Sequence, residues 1–203
     1  MIIYGASGHA KVIIDIIEST SHHAIDMILD DNPEIHSIMG KPVKHSMPEK
    51  GDDFSFVIAV GNNVVRKEIV DRNNFQYSEA LVHNKAIVNR NVVIGEGSVV
   101  MAGAVINPSS KVGSHAIINT NAIIDHDVKV ADFCHISPGA VITGNVKIAE
   151  GTQIGAGASI LPGVNIGKWC TIGAGSVILK DIPDYAVVVG NPGRIIKYNK
   201  SEE

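Results

Sequence analysis

The sequence contains few aromatic residues and few cysteines. Phe, Trp and Tyr make up only 4% of its 203 residues, which argues against an ordinary core built on large rings. Its 20 glycines and many small aliphatic residues indicate thin, repetitive layers instead. The only cysteines, Cys134 and Cys170, are too few for a disulfide framework.

Excess positive charge, long apolar runs and an export signal are missing as well. A formal net charge of −4 leaves no basic footprint for nucleic acid. No apolar run approaches the ~18 residues that a membrane span requires. The initial segment MIIYGASGHAKV lacks the basic region of a signal peptide. We therefore expect a cytoplasmic protein that binds neither nucleic acid nor a membrane.

A six-residue repeat runs through the second half of the chain. Every sixth residue from Ile94 to Ile178 is Ile or Val, at fifteen consecutive positions. The residue two places before each of these is small or β-branched without exception. A period of six fits neither a helix nor an alternating strand, but it is the signature of a β-helix.

Residues 1–84 follow a different pattern. The segment MIIYGASGHAKVIIDIIES predicts a strand, a glycine turn and a helix with isoleucines at helical spacing. We predict two further strands, in 25–31 and 54–63, and a short helix in VVRKEIVDR. This pattern indicates a small Rossmann-like domain, in which ligands bind at the carboxyl ends of the strands.

Glycine and polar residues follow these strands. The turn G-A-S-G-H is not a full G-x-G-x-x-G motif, so a nicotinamide cofactor is not indicated, but its backbone amides suit a phosphate or pyrophosphate. Two aspartates after the second strand could accept hydrogen bonds from a ribose, a base or an amino sugar. Alternatively, the glycines form only a tight turn and the aspartates are solvated caps. The candidate binding residues are Ser7, Gly8, His9, Asp30, Asp31, Gly61 and Asn62.

The two halves together resemble one known family. A Rossmann-like domain with G-A-S-G-H, L-D-D and V-G-N-N, followed by hexapeptide repeats with an I-x-H-[DE] motif, is similar to bacterial nucleotide-sugar acetyltransferases of the bacillosamine and perosamine type. Sialic acid O-acetyltransferases are near relatives. The resemblance implies a left-handed parallel β-helix with coils of 18 residues, acetyl-CoA as co-substrate, and a homotrimer with active sites between subunits.

On this basis we expect three parts. Residues 1–84 would form a Rossmann-like domain that binds the nucleotide-sugar. Residues 85–183 would form a left-handed β-helix that carries acetyl-CoA and the catalytic residues. Residues 184–203, which include V-G-N-P-G-R and so resemble the closing motif of CoA-dependent hexapeptide transferases, would cap the open end of the solenoid.

His126 is the candidate catalytic base. Imidazole titrates near neutrality and can remove a proton from an attacking amine. Asp127 is the residue expected to orient the ring, with Asp125 less favoured; the family often has Glu where Asp127 stands. Gly144 follows His126 by one coil, and its amide is expected to stabilise the oxyanion. The alternative is that His126 is an exposed turn residue flanked by solvating carboxylates.

The remaining candidates come from the resemblance. It implies that Asn119 touches the acceptor sugar. It also implies that His135 contacts CoA. Because His135 lies half a coil from His126, one subunit cannot easily bring both to one point, and the CoA would lie between neighbouring subunits. For both residues, a polar corner position is the structural alternative. The cofactor-binding residues implied are His135, Gly144, Ala156, Ala174 and Arg194.

No metal and no disulfide are expected. The histidines at 115, 126 and 135 fall at different phases of the 18-residue coil and so do not build a zinc site. The two cysteines are 36 residues apart, or two coils, which separates them by ~9–10 Å at ~4.8 Å per coil. Because a disulfide requires less than ~7 Å between Cα atoms, we expect both to be small inward-facing residues.

The expected function is acetyl-CoA-dependent N-acetylation of the 4-amino group of a nucleotide-linked 4-amino-4,6-dideoxy sugar, for surface glycan or glycoprotein synthesis. One alternative is O-acetylation of sialic acid or a related sugar, since the same His–Asp pair could activate a hydroxyl. Another is a scaffold or binding module without catalytic activity. The sequence does not specify UDP, GDP or CMP as the nucleotide.

Overall fold

The computed structural model describes residues 1–20, 24–47 and 54–199. The last four residues of the predicted capping segment lie outside these ranges. Neither helix in the described ranges is long and apolar enough to cross a membrane.

The N-terminal part folds into one sheet and two helices. The helices are α1 (Gly8–Glu18) and α2 (Asn63–Arg72). The strands are β1 (Ile2–Tyr4), β2 (Met27–Leu29), β3 (Ser37–Ile38), β4 (Lys41–Lys44), β5 (Ser55–Ile58) and β6 (Gln76–Tyr77). They lie in the order β3-β4-β2-β1-β5-β6, and all neighbours are parallel except β3 and β4.

All three predicted strands and both predicted helices of this part are confirmed, as β1, β2, β5, α1 and α2. The hairpin of β3 and β4 was missed, as was β6. The hairpin turns at Met39 and Gly40, which both have positive φ, 48° and 74°. Such a two-residue turn is typical of a β-hairpin, so the Met39–Gly40 pair was the feature of the sequence that could have predicted this hairpin.

The rest of the chain winds into a parallel β-helix with three faces. The first face contains β7 (Leu81–Val82), β10 (Val99–Val100), β13 (Ile117–Ile118), β16 (His135–Ile136), β19 (Gln153–Ile154), β22 (Thr171–Ile172) and β24 (Ala186–Val189), with β25 (Arg194–Tyr198) antiparallel to β24. The second contains β8 (Ile87–Val88), β11 (Val105–Ile106), β14 (Ile123–Ile124), β17 (Val141–Ile142), β20 (Ser159–Ile160) and β23 (Val177–Ile178). The third contains β9 (Val93–Ile94), β12 (Lys111–Val112), β15 (Lys129–Val130), β18 (Lys147–Ile148) and β21 (Asn165–Ile166).

Strands of one face pair at a spacing of 18 residues. Ile117, for example, pairs with Val99 in the coil before it and with His135 in the coil after it. Each coil therefore takes three hexapeptides, as the resemblance implies. The first strand that pairs with this solenoid, β7, precedes the expected start at residue 85.

The repeat positions form the interior. All fifteen Ile and Val positions except the partly exposed Ile94 are buried, and so are the small residues two places before them from Ser98 onward. Cys134 and Cys170 are buried in this interior and unpaired, which confirms that they act as small inward-facing residues.

The three faces differ on the outside. On the first face, Leu81, Val99 and Ile117 are buried in one apolar cluster with α1 and β1, so the N-terminal domain covers the first coils of this face. The second face presents mainly aliphatic side chains that the described chain leaves partly or largely exposed, and the third presents three stacked lysines between Val93 and Asn165. The catalytic candidate lies on the turn between the second and third faces.

Candidate active site

His126 is exposed on the turn that connects β14 to β15. Its side chain is 56% accessible, and its Nδ1 lies 2.8 Å from Oδ2 of Asp127. Asp127 occupies the left-handed region, with φ of +61°. The carboxylate accepts a hydrogen bond from Nδ1–H, so the neutral ring has its lone pair on Nε2. That nitrogen can accept a proton from a substrate.

Asp125 flanks the ring on the other side. Its Oδ2 is 3.9 Å from His126 Nε2, beyond hydrogen-bonding distance, while its Oδ1 accepts from the His126 backbone N–H at 2.8 Å. Oδ1 also accepts from Nδ2 of Asn107 at 2.9 Å, and Asn89 donates to Asn107 in turn. Asn107 was missed from the sequence, although its spacing of 18 residues from Asp125 was a usable signal.

Gly144 stacks directly on His126. A Cβ at Gly144 would lie 2.8 Å from Cε1 and 2.9 Å from Nε2 of the imidazole, so any side chain there would displace the ring. The next residue, Asn145, donates its backbone N–H to the His126 carbonyl at 3.1 Å. The Gly144 amide is also among the groups that lower the pKa of Asp125 through a hydrogen bond. The glycine therefore leaves room for the His126 ring in its observed position.

The electrostatic surroundings separate His126 from the other central histidines. The hydrogen bond to Asp127, followed by the charge of Asp125, raises the pKa of His126 above its usual 6.5. Burial, and then the charge of Arg66, lower the pKa of both His115 and His135 to about 4. Of these three, only His126 is both accessible and basic enough to act as a proton acceptor near neutrality.

His135 lies on the first face, against the N-terminal domain of the same chain. Its Nε2 is 3.0 Å from Nδ2 of Asn119. Because Oδ1 of Asn119 accepts from the Thr120 backbone N–H at 2.8 Å, Nδ2 must face the ring and donate to it. The backbone of Gly61 also hydrogen-bonds to this ring. The structure thus joins Asn119 and His135 to the end of β5, a grouping that their sequence separation did not predict.

The glycine turn between β1 and α1 opens toward the same region. Ser7 and Gly8 are exposed. His9 is mostly buried, its Nε2 finds no hydrogen-bond partner among the described residues, and burial lowers its pKa to about 3. The charges of His135 and Arg66 act in the same direction. His9 and His135 are therefore neighbours across the junction between the domains, and both rings are neutral at physiological pH.

Both aspartates after β2 are already hydrogen-bonded. Asp30 accepts from the Ala6 backbone N–H at 2.6 Å, which ties it to the glycine turn. Asp31 accepts from the Tyr4 hydroxyl at 2.6 Å and from Arg72 at 2.8 Å. These bonds, that of Tyr4 first, lower the pKa of Asp31 and keep it ionised. Tyr4 and Arg72 were not recognised in the sequence.

Asn62 and Gly61 stand at the start of α2. Oδ1 of Asn62 accepts from the Val65 backbone N–H at 3.1 Å, so Asn62 is the N-cap of this helix. Gly61 has no such structural requirement, since a Cβ there would meet nothing within 4 Å.

The remaining cofactor candidates lie elsewhere on the solenoid. Ala156 and Ala174 are exposed on the turns between the first and second faces, one coil apart, and the Gly175 N–H bonds to the Ala156 carbonyl. Arg194 begins β25 and is exposed. Within this chain these residues do not join His126, which is on a different corner.

No group of three His, Cys, Asp or Glu side chains within residues 1–20, 24–47 and 54–199 is placed to hold a metal ion. The arrangement around His126 combines an exposed imidazole, a carboxylate hydrogen-bonded to it and the Gly144 backbone in the next coil. This combination suits acyl transfer.

Comparison with known proteins bears on both halves of the chain. Residues 1–73 match the model of the PglD N-terminal domain, and residues 145–180 match that of the bacterial transferase hexapeptide (six repeats). No curated protein gives a significant match.

Solved structures match over nearly the full length. The acetyltransferase domain of PglB from Neisseria gonorrhoeae is 36% identical, with a TM-score of 0.88 over 96% of this chain and 98% of that one. A mutant of perosamine N-acetyltransferase from Caulobacter crescentus, in complex with CoA and GDP-perosamine, is 33% identical, with a TM-score of 0.88 over 97% and 96%. WeeI from Acinetobacter baumannii is 29% identical, with a TM-score of 0.83 over 96% and 98%.

These matches define the class of protein as an acyltransferase built on hexapeptide repeats with a PglD-type N-terminal domain. The chain belongs to the family of nucleotide-sugar N-acetyltransferases that includes the PglB acetyltransferase domain and perosamine N-acetyltransferase.

Proposed function

We propose that this enzyme transfers the acetyl group of acetyl-CoA to the 4-amino group of a nucleotide-linked 4-amino-4,6-dideoxy sugar. The observation that carries the proposal is the exposed His126–Asp127 pair with Gly144 directly above it in the next coil. Relatives support both substrates: one PglB structure holds acetyl coenzyme A, and perosamine N-acetyltransferase holds CoA and GDP-perosamine.

His126 would remove the proton from the attacking amine. The amine nitrogen forms a bond to the thioester carbon as Nε2 takes its proton, and Asp127 holds the ring through Nδ1. The resulting imidazolium lies beside two carboxylates, which stabilise its charge. The raised pKa of His126 makes it a stronger base, at the cost of a larger protonated fraction at low pH.

The Gly144 amide would stabilise the negative oxygen of the tetrahedral intermediate. Within the chain this amide hydrogen-bonds to Asp125, so the thioester oxygen would take over its hydrogen bond. Collapse of the intermediate breaks the carbon–sulfur bond, and the CoA thiolate takes the proton that His126 received.

The N-terminal domain would hold the nucleotide-sugar at the turn of Ser7, Gly8 and His9. A Cβ on Gly8 or Gly61 would meet nothing within 4 Å, so packing does not explain these glycines. The Nε2 of His9 is buried and finds no hydrogen-bond partner among the described residues, so its hydrogen-bonding capacity is unused within the described chain. Asp30, Asp31, Asn62 and Asn119 complete the proposed substrate site.

Acetyl-CoA would bind between the subunits of a homotrimer. The N-terminal domain covers the first face and lysines line the third, so the aliphatic second face is the one suited to self-association. The corner with Ala156 and Ala174 and the corner with His126 lie on opposite edges of that face. If subunits pack through the second face, the Ala156 and Ala174 corner of one subunit meets the His126 corner of its neighbour. We propose His135 and Arg194 as further CoA contacts. We also propose that the three functional parts of the chain divide at residues 84 and 183, and that the protein is located in the cytoplasm.

The test is a free-thiol assay with acetyl-CoA and a panel of UDP-, GDP- and CMP-linked amino sugars, together with hydroxyl acceptors such as sialic acid. We expect release of CoA with amino sugars, and a loss of kcat of ~10²–10⁴-fold in His126→Asn. His36→Asn, a change at an exposed histidine of the N-terminal domain, is the matched control and should leave kcat unchanged.

An unchanged rate in His126→Asn would discard the mechanism. Acetylation of hydroxyl acceptors alone would replace N-acetylation by O-acetylation, and no thiol release with any acceptor would discard the proposed substrates.

A further inference from the structure

Arg66 is a charged residue that the proposed mechanism does not use. It lies in α2 with a side chain that is only 1% exposed. No carboxylate forms an ion pair with it in the part of the chain that the structure describes. Burial lowers the pKa of its guanidinium to about 10, so the group remains charged near neutrality. A buried, unpaired cation is costly unless its donors are satisfied.

Carbonyl groups from both domains satisfy these donors. At the end of β5, Nη1 donates to the carbonyls of Val60 at 2.9 Å and Gly61 at 3.2 Å. In the solenoid, Nε donates to the His115 carbonyl at 2.9 Å and Nη2 to the Phe133 carbonyl at 2.9 Å. The two solenoid acceptors are 18 residues apart, so a single guanidinium clamps two successive coils to one turn of the N-terminal domain.

The Arg66 fork lies beside Gly61 and His135, which both adjoin the proposed substrate site. On the N-terminal side it holds Gly61, next to the open turn. On the solenoid side it reaches the Cys134 carbonyl at 3.5 Å, directly before His135. His135 in turn hydrogen-bonds to both Gly61 and Asn119. The distance between Gly61, which adjoins the proposed nucleotide-binding turn of Ser7, Gly8 and His9, and the His135 ring therefore depends on the Arg66 fork.

We propose that Arg66 is a positioning residue that holds the nucleotide-binding turn of the N-terminal domain in register with the His135–Asn119 pair of the β-helix. This inference rests on the proposed function, because it assumes that the acceptor binds between these two elements. Arg66 touches no substrate itself. A lysine cannot replace it, since a single ammonium nitrogen cannot reach the separate acceptors that Nε, Nη1 and Nη2 hold.

The test compares Arg66→Gln and Arg66→Lys with the wild-type enzyme, using Val99→Ala as the control. Val99 is buried in the same junction but lies two coils from His135, so its truncation loosens the interface without touching the fork. We expect the KM for the sugar acceptor to rise about tenfold or more in both Arg66 variants, as for the loss of a buried charged hydrogen bond. The KM for acetyl-CoA should change less than the KM for the acceptor, since of the proposed CoA contacts only His135 adjoins the fork, while Ala156 and Ala174 lie on another corner.

Nuclear magnetic resonance of the His135 ring gives a readout independent of catalysis. In the wild type, Nε2 should remain unprotonated down to a pH of about 4. In Arg66→Gln the loss of the nearby charge and of the enclosed geometry should move this titration to higher pH, whereas Val99→Ala should titrate like the wild type.

Acceptor KM values in the Arg66 variants no higher than in Val99→Ala would overturn the proposal, as would full recovery by Arg66→Lys. If neither Arg66 variant folds, Asn63→Ala removes one acceptor of the fork, the Oδ1 at 2.8 Å, and an unchanged acceptor KM there would overturn it instead. If the wild type acetylates no amino sugar, the proposed function fails. The His135 titration then decides the positioning role alone, and an unshifted titration in Arg66→Gln would reject it.

Discussion

At the scale of single residues, the charge and burial around each histidine decide its chemistry. His126 is exposed between two carboxylates, and its pKa is raised. His9 and His135 are enclosed near the Arg66 guanidinium, and their pKa values fall to about 3 and about 4. The same side chain is therefore more basic at the corner of the solenoid, as the proposed base requires, and a neutral hydrogen-bonding group at the domain junction.

A change at Asp127 should move the pH dependence of the reaction. The base works when neutral, so activity is present above the pKa of His126 and lost as the pH falls through it. Asp127→Asn removes the largest cause of the raised pKa, so the acidic limb of kcat/KM should shift to lower pH. The plateau rate should also fall, because the ring loses its ionic partner. Rates from pH 5 to 9 measure both effects.

Asp132→Asn is the matched control. It removes an exposed carboxylate of the same coil that only accepts a backbone hydrogen bond from Ser114. Its profile should coincide with that of the wild type, and an unshifted acidic limb in Asp127→Asn would contradict the assignment of the orienting residue.

At the scale of elements, stacked coils turn a spacing of 18 residues into direct contact. Gly144 lies on His126, and Asn89, Asn107 and Asp125 form a ladder of hydrogen bonds over three coils. The interior of Ile and Val holds these turns at a constant spacing, because every strand pairs with its equivalents in the coils above and below. The site is thus assembled from consecutive coils rather than from one loop.

Gly144→Ala should lower kcat while leaving the fold intact. The added methyl group would lie 2.8 Å from the imidazole of His126 and must displace it. We expect a loss of kcat of ~100-fold, the typical effect of misplacing a reacting group by about 1 Å. Circular dichroism and the thiol assay together distinguish this from unfolding.

Gly163→Asn is the control for Gly144→Ala, because it also replaces a glycine on this corner of the solenoid but in the following coil. Ser109, Asp127 and Asn145 occupy the equivalent turn position with φ of 61° to 66°, so Asn fits the backbone there. It should retain most activity. Comparable rates for Gly144→Ala and the wild type would show that the space above His126 is not needed.

At the scale of the whole molecule, each face of the solenoid has a different role. The N-terminal domain covers the first face through Leu81, Val99 and Ile117. The second face bears Ile87, which is 60% exposed, and Ile123, which is 39% exposed. Lysines 111, 129 and 147 are stacked on the third face, where mutual repulsion opposes close packing of copies. We therefore propose the second face as the one that buries area between subunits.

Ile123→Asp should prevent assembly of the trimer. A carboxylate placed in an apolar interface would be buried without a partner, which is strongly unfavourable. Sedimentation should give about three times the chain mass of 21.5 kDa for the wild type and the mass of a single chain for the variant. The variant should also lose activity, since the proposed CoA site needs two subunits.

Lys111→Glu makes a charge change of the same kind on the third face and should leave the assembly intact. A trimer that persists in Ile123→Asp but dissociates in Lys111→Glu would show that the subunits pack through the third face instead.

Local pattern in the sequence was sufficient for much of this protein. The six-residue period determined the solenoid, because each repeat position must be apolar to fill an interior that is the same in every coil. The same period placed Gly144 over His126 and kept the two cysteines apart. Periodicity and glycine turns likewise predicted the main strands and helices of the N-terminal domain.

Only the tertiary structure decided what the junction between the two domains contains. Arg66 stands in an ordinary polar helix segment, and its partners are backbone carbonyls 49 and 67 residues away. Backbone acceptors have no signature in the sequence, so nothing marked this arginine. The pairing of His135 with Asn119 and Gly61, and the solvent exposure that distinguishes His126, depend in the same way on which surfaces the folded domains cover.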